Sequence, residues 1–324
     1  MQKKLLNLLA NGNIHSGQVL GKALGVSRAA VCKQVKKLNE LGLKVVSVKG
    51  SGYQILAPIE LLDSNKIIDN LDLQTRNLIS EIDINWSIVS TNSHCLAYIK
   101  NNCISGYVCL AEHQINGRGR RGREWVSPLA GNLYLSLVWR FTCGAEILEG
   151  FSLAVAIVVA NALREDFCLQ PVQLKWPNDI LINNKKIGGI LIEIIGEVGG
   201  PCSVVVGVGL NVSFSDAAEN KIDQPWIDLN SAAGRTVSRN MLAASILNHL
   251  MPLLQVYERD GFVLFKKDWM LYDAFLGSHV VVRYGVDEFF EGIAQGISDS
   301  GELLVDGSGY LRAFKSGEVS LRRV

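Results

Sequence analysis

Glu112-His113-Gln114-Ile115-Asn116-Gly117-Arg118-Gly119-Arg120-Arg121-Gly122-Arg123-Glu124-Trp125 follows directly on an apolar run, 107–111, that reads as a strand. Four arginines and three glycines fill the seven consecutive positions 117–123. Glycine lets the backbone approach closely and adopt positive φ, and guanidinium forks give charge-assisted bonds to carboxylate or phosphate oxygens. A strand that empties into such a loop can surround a small anionic reactant. Taken alone, the same loop also fits a solvated basic surface or an RNA-binding arginine–glycine segment.

The 324 residues suffice for two or three domains, and 48% apolar residues can bury a sizeable core. Seven cysteines, an odd number without a C-x-x-C pair, argue against a zinc knuckle or a disulfide framework. A reducing cytoplasm fits that usage. Residues 1–10 lack the apolar centre and cleavage site of a signal peptide. The longest apolar stretch, 151–163, is shorter than the ~20 residues of a membrane span and reads as a buried helix, so no membrane role is expected.

Charge is unevenly placed. Residues 1–56 carry nine lysines and arginines against the single acid Glu40, a net of +8, so the remainder of a chain whose net charge is +1 carries −7. A basic head of this size has the electrostatic footprint of a nucleic-acid binder. Leu5, Leu6 and Leu9 mark a first helix, residues 15–24 a second, Gly25-Val26 a turn, and Ser27 the N-cap of a third helix reaching Leu41. Val31, Val35 and Leu38 recur at helical spacing and define its buried face. Ala29, Lys33, Lys36 and Lys37 then face away, flanked by Ser27 and Arg28. That is the layout of a recognition helix. Residues 44–48 and 53–56, joined by Lys49-Gly50-Ser51-Gly52, form a hairpin that would be a wing. A three-helix protein-interaction module with a solvated lysine face is the competing reading.

Pro58 and the polar stretch 63–70 read as a hinge into the body. The body alternates strands near 84–89, 107–111, 132–139, 174–176, 180–182, 186–195 and 203–208 with helices near 92–100, 149–166 and 240–260, an α+β pattern. Beyond Trp269, short glycine-punctuated strands at 279–284, 288–297 and 303–305 predict a small β-barrel. The domains expected are 1–62, 63–272 and 273–324.

Three constellations accompany the arginine loop. Lys175-Trp176-Pro177-Asn178-Asp179 sets a cation, an aromatic, a rigid turn and a carboxylate at a strand end. Lys186-Ile187-Gly188-Gly189-Ile190-Leu191-Ile192-Glu193 opens a strand whose glycines permit close approach. Val206-Gly207-Val208-Gly209-Leu210-Asn211 lacks the spacing of a dinucleotide fingerprint, and there is no G-x-x-x-x-G-K-[ST] loop. Any nucleotide is therefore held by a different architecture.

Together with Ser90-Thr91-Asn92, Gln114 and the tail 317–322, these motifs resemble, in order and over nearly the whole chain, the bacterial biotin–protein ligases. The basic head resembles that of the bifunctional members that also repress the biotin operon. The resemblance implies a winged helix-turn-helix, a central domain of the biotin–lipoate ligase and class II aminoacyl-tRNA synthetase type, and an SH3-like C-terminal barrel. It implies formation of biotinyl-5′-adenylate from biotin and ATP, with Mg²⁺ carried on the phosphates and no assignable protein ligands. Biotin then passes to a lysine of the biotin carboxyl carrier protein of acetyl-CoA carboxylase.

The same resemblance assigns residues. Ser90, Thr91, Asn92, Gln114, Gly117, Arg118 and Lys186 would bind biotin. Arg118, Arg120, Arg121, Lys175, Asn178, Lys186, Asn211, Trp226 and Arg322 would bind ATP or the adenylate, with Trp226 stacked on adenine beside a loop near 214–225. Lys186, Arg118 and Arg120 would stabilise charge as two anions meet, each donor contributing about 10²–10³ in rate. Asp179 would orient or deprotonate the incoming lysine, and Glu318 would assist Arg322. Ser27, Arg28, Ala29, Lys33, Lys36, Lys37 and Lys49 would contact double-stranded operator DNA, read by a homodimer that forms when the adenylate is bound. A biotin-responsive repressor without catalysis is the alternative. A lipoate ligase fits less well, since a lipoyl ring has no ureido group for the polar set to satisfy.

Overall fold

The computed structural model describes residues 1–56, 58–102, 104–196, 200–214, 222, 224–284, 288–317 and 320–323. The head begins with helices α1 (Gln2–Leu9), α2 (Gly17–Leu24) and α3 (Arg28–Glu40), followed by the antiparallel wing strands β1 (Val45–Val48) and β2 (Gly52–Ile55). Ser16 and Ser27 cap α2 and α3 by accepting from Val19 N at 3.1 Å and Ala30 N at 3.2 Å. Gly25 closes α2 in the left-handed region at φ 68°, where glycine carries no Cβ penalty. Leu5, Leu6, Leu9, Val31, Val35 and Leu38 are buried together, as their spacing predicts. The expected protein-DNA face, Ser27, Arg28, Ala29, Lys33, Lys36 and Lys37, is exposed, and so is Lys49 at the wing tip.

The segment 63–70 is not an open hinge. Asp63 caps a helix, α4 (Ser64–Asp69), by accepting from Asn65 N at 2.9 Å, and Ile67 is fully buried. A second short helix, α5 (Leu73–Leu78), is capped by Asp72. The polar composition that reads as linker is here a capping signal followed by one apolar anchor.

The body is built on a seven-stranded sheet, formed by β3 (Glu81–Asn85), β4 (Tyr107–Ala111), β5 (Leu133–Phe141), β6 (Val172–Lys175), β7 (Asp179–Ile182), β8 (Lys185–Gly196) and β9 (Cys202–Leu210). Their order is β3-β4-β5-β9-β8-β7-β6, with β3 and β4 parallel and the other neighbours antiparallel. Helix α6 (Thr91–Ile99) packs on β4, β5 and β9. The nearly all-apolar α7 (Phe151–Glu165) packs against the long α9 (Arg239–Asp260), and a short α8 (Leu229–Ala233) precedes α9. After α10 (Lys266–Tyr272) the C-terminal unit is an antiparallel five-stranded sheet of the small-barrel type. It comprises β10 (His279–Tyr284), β11 (Glu288–Ile297), β12 (Leu303–Gly307), β13 (Tyr310–Phe314) and β14 (Ser320–Arg323).

The three units are fastened to one another. Leu129 and Ala130 of the body join the core of the head, and Leu129 N donates to Leu41 O at 2.9 Å. Trp176 is fully buried, and its Nε1 donates to Gly301 O at 3.0 Å, so it anchors the C-terminal unit. No described helix is long and apolar enough to cross a membrane.

Candidate active site

A cleft of about 850 Å³ opens between the arginine loop, the β6–β8 end of the sheet and the C-terminal strand β14. It gathers Ser90, Thr91, Asn92, Gln114, Arg118, Arg120, Arg121, Lys175, Asn178, Asp179, Lys186, Asn211, Trp226 and Arg322. Gly117 lies just behind the wall, where a Cβ would collide with Trp125 O and Ser127 Oγ. Glu318 lies outside the described residues, as do 215–221 and 223 of the loop near Trp226.

One end of the cleft is polar and tightly wired. Gln114 Oε1 accepts from Thr91 N at 2.8 Å, and its Nε2 donates to Ser127 Oγ at 3.0 Å. Ser136 Oγ is 2.7 Å from Thr91 Oγ1 and donates to Asn92 Oδ1 at 2.6 Å. Ser90 caps α6 through Ser93 N, so the capping and the wall-lining roles coexist. The glycines of β9 explain why this end is open. A Cβ on Gly207 would strike Asn92 Oδ1, and one on Gly209 would lie 2.9 Å from Trp125 Cε2.

The other end is cationic around the Asp179 carboxylate. Lys186 Nζ lies 2.6 Å from Asp179 Oδ1, and both side chains are mostly buried. Asp179 therefore pairs with Lys186 across β7 and β8 rather than with Lys175, its neighbour in the motif. Burial pulls the Lys175 ammonium below the usual lysine range, with Asp179 opposing that shift and Lys186, Arg322 and Arg123 adding to it. Arg120 is likewise lowered by burial, with Asp179 opposing, and its guanidinium donates to Ser316 O. Asn178 does not project freely into the cleft, because its Nδ2 donates to Ile190 O at 2.7 Å and holds the β6–β7 turn against β8. Asn211 Nδ2 donates to Ile227 O at 3.3 Å, and Trp226 packs on Phe214 with ring centroids 4.6 Å apart.

Two participants stand at the ends of motifs quoted above but were given no role there. Glu193 accepts from Arg118 NH2 at 3.0 Å on each carboxylate oxygen and from Asn92 Nδ2 at 2.8 Å, joining the two ends of the cleft. The signal was a carboxylate set among the apolar residues in the second half of β8. Trp125 forms the floor between the ends, with Lys186 Nζ 5.5 Å from its ring centroid. Among the described residues, Arg118 Nε and Trp125 Nε1 are buried donors without a protein partner. A buried donor left unmade costs about 1–3 kcal/mol, so both favour a ligand that brings acceptors.

A basic winged head joined to a cleft that couples a polar pocket to clustered cations defines an anion-activating ligase with a DNA-binding unit. Residues 87–211 match the biotin/lipoate A/B protein ligase family, 1–54 an HTH domain and 275–322 the biotin protein ligase C-terminal domain. The chain is 40% identical over 318 residues to the bifunctional ligase/repressor BirA of Salmonella typhimurium, covering 98% of this chain and 96% of that protein. For BirA of Escherichia coli the identity is 39% over 319 residues, with the same coverage. A biotin protein ligase from Aquifex aeolicus, solved with biotin and ATP, superposes with a TM-score of 0.65 at 27% identity, over 76% of this chain and all of that one. The chain thus belongs to the biotin–protein ligase family, in its bifunctional ligase/repressor branch.

Proposed function

We propose that the protein activates biotin with Mg·ATP and passes it to a carrier lysine, and that the adenylate it makes also switches its DNA-binding head. The carrying observation is the cleft itself. Polar groups at the start of α6 suit a ureido ring at one end, and Lys186, Lys175, Arg120 and Arg322 suit a carboxylate meeting a triphosphate at the other. In the first step a biotin carboxylate oxygen bonds to the α-phosphorus, and pyrophosphate leaves. Lys186 faces the junction where charge develops, while Arg118 and Arg120 neutralise the approaching anions. The mostly buried carboxylates Asp179 and Glu193 are committed to Lys186 and Arg118. Mg²⁺ accordingly arrives on the phosphates, as part of the substrate.

In the second step the carrier lysine amine attacks the acyl carbon and AMP leaves. Asp179 orients that amine. Its Oδ1 is already held by Lys186 Nζ at 2.6 Å, so orientation is the role its geometry supports. Trp226, Asn211 and Asn178 frame the nucleoside side, and Ser90, Thr91, Asn92, Gln114 and Gly117 frame biotin.

The partner protein is a biotin carboxyl carrier protein in the cytoplasm, and the partner nucleic acid is a palindromic operator bound by an adenylate-loaded homodimer. Exposed Ser27, Arg28, Ala29, Lys33, Lys36, Lys37 and Lys49 would meet its phosphates and base edges. We place the functional units at 1–62, 63–272 and 273–324. The deciding experiment is pyrophosphate release from biotin and Mg·ATP without carrier, followed by mass analysis of the ligand retained after desalting. About one pyrophosphate per chain with retained biotinyl-adenylate supports the reading. Folded protein that binds biotin yet releases none would make it a non-catalytic repressor.

A further inference from the structure

Away from the cleft, on the side of the sheet that α6 covers, side chains from three elements converge. Asp83 on β3 and Cys109 on β4 are register partners in the one parallel strand pair of this sheet, and so share a face. His94 comes from α6. The carboxylate oxygen, ring nitrogen and sulfur all lie within 4.8 Å of one another, and His94 Nε2 is 3.2 Å from Asp83 Oδ2. None of the three lines the catalytic cleft.

We propose that Asp83, His94 and Cys109 form a binding site for a borderline divalent transition cation, with Zn²⁺ the best match. One oxygen, one imidazole nitrogen and one thiolate is a donor set that Zn²⁺ accepts, whereas Mg²⁺ and Ca²⁺ take oxygen ligands. Bonds of about 2.0–2.3 Å in a tetrahedron put ligand atoms roughly 3.3–3.8 Å apart. The His94–Asp83 separation of 3.2 Å is already near that spacing. The remaining approach falls to side chains with room to turn, since those of His94 and Asp83 are 38% and 30% exposed while Cys109 forms the buried floor. The exposed side is also the entry path.

The surroundings resemble an outer ligand shell. Asn85 Nδ2 donates to Asp83 Oδ2 at 2.8 Å and lies 3.8 Å from Cys109 Sγ. Tyr107 Oη donates to the same carboxylate oxygen at 2.8 Å and lies 3.1 Å from His94 Nε2, while Tyr98 stacks on its ring at 3.7 Å. Asn85 and Tyr107 fix the Asp83 oxygen that faces His94, as outer-shell donors orient a ligating carboxylate, and a water would complete the fourth position. Binding releases the Cys109 proton to solvent, so affinity rises with pH. The cation would tie α6 to β3 and β4 one turn beyond Ser90-Thr91-Asn92, a structural role for the helix that opens the biotin end.

The test is titration of the chelator-stripped, reduced full chain with Co²⁺ alone, read by absorption. The expected result is a thiolate-to-cobalt charge-transfer band saturating near one ion per chain, abolished in Cys109→Ser and weakened at least about tenfold in His94→Asn and in Asp83→Asn. Zn²⁺ should raise the thermal midpoint of the parent protein and leave that of His94→Asn unmoved. Because Cys109 is in the core, the half-exposed His94→Asn variant carries the test if Cys109→Ser does not fold. Absence of a saturable band, or unchanged binding in an Asp83→Asn/His94→Asn double variant, overturns the assignment.

Discussion

Lys186 Nζ and Asp179 Oδ1 stand 2.6 Å apart on adjacent strands, with Lys175 and Arg120 drawn toward the same carboxylate. In the proposed reaction the two residues serve different steps. Lys186→Ala should slow pyrophosphate release by about 10²–10³. Asp179→Asn should keep most of that release and slow carrier biotinylation from preformed adenylate. Equal losses in both assays for Asp179→Asn would argue that it acts only through Lys186.

Glu193 holds Arg118 by both oxygens and Asn92 by one. Hydrogen bonds to charged groups contribute about 1.5–3 kcal/mol, so Glu193→Ala should raise the KM for biotin roughly 10- to 100-fold while kcat falls less. Glu193→Gln, which keeps an acceptor for Asn92, should recover part of the KM. A pure loss of folded protein would instead lower total activity with KM unchanged.

Lys175 carries a pKa lowered by burial, and phosphate binding would favour its charged form. ATP affinity should therefore fall as pH rises through this depressed pKa, because the neutral amine no longer attracts the triphosphate. Lys175→Arg should move that alkaline limb to higher pH. In the free protein the same sign makes stability rise between the folded pKa and the ordinary lysine value of 10.5, where the unfolded chain binds more protons. Isothermal titration across alkaline pH reads the first effect and thermal unfolding the second.

Arg239 NH1 lies 2.8 Å from Glu112 Oε2 with both side chains 4% exposed, and Leu62 N donates to Glu112 Oε1 at 2.6 Å. Arg239→Met leaves a buried carboxylate unpaired and should destabilise the chain by about 3–5 kcal/mol. Adding Glu112→Leu should restore part of this loss, as a double-mutant cycle by chemical denaturation would show.

Glu60 binds the start of α9 as well, accepting from Ser238 Oγ at 2.9 Å and Arg239 N at 2.7 Å. Burial raises its pKa, but bonds from Ser238, Asn240 and Arg239 outweigh it and hold the carboxyl below its ordinary 4.5. Its stabilisation is complete above that ordinary value and is lost as pH falls through the folded one. Glu60→Gln should therefore flatten the acid limb of the stability profile, measured by denaturation between neutral and acidic pH.

Much of this molecule was legible in one dimension. Strand 107–111 falls where its apolar run put it, strands 279–284 and 288–297 fall where glycine punctuation put them, and the buried stripe Val31, Val35 and Leu38 follows from helical period alone. The short helices at 64–69 and 73–78 were missed. Each is held by one aspartate cap and by packing on α9, which lies some 170 residues downstream. The glycines of β9 were visible as a pattern, but their purpose was not, since it is to make room for Asn92 and Trp125 from other elements.

The sequence by itself determined the basic head and the three-part order of the chain, because charge, period and turn chemistry are local properties, while the cations and polar residues proposed for the reaction were assigned through the family resemblance. Only the tertiary structure decided which carboxylate each cation meets, that Trp176 anchors the C-terminal unit and that Glu193 joins the two ends of the cleft. Those choices depend on strand order and register, and register is set by burial summed over the whole sheet rather than by any residue's neighbours in the chain.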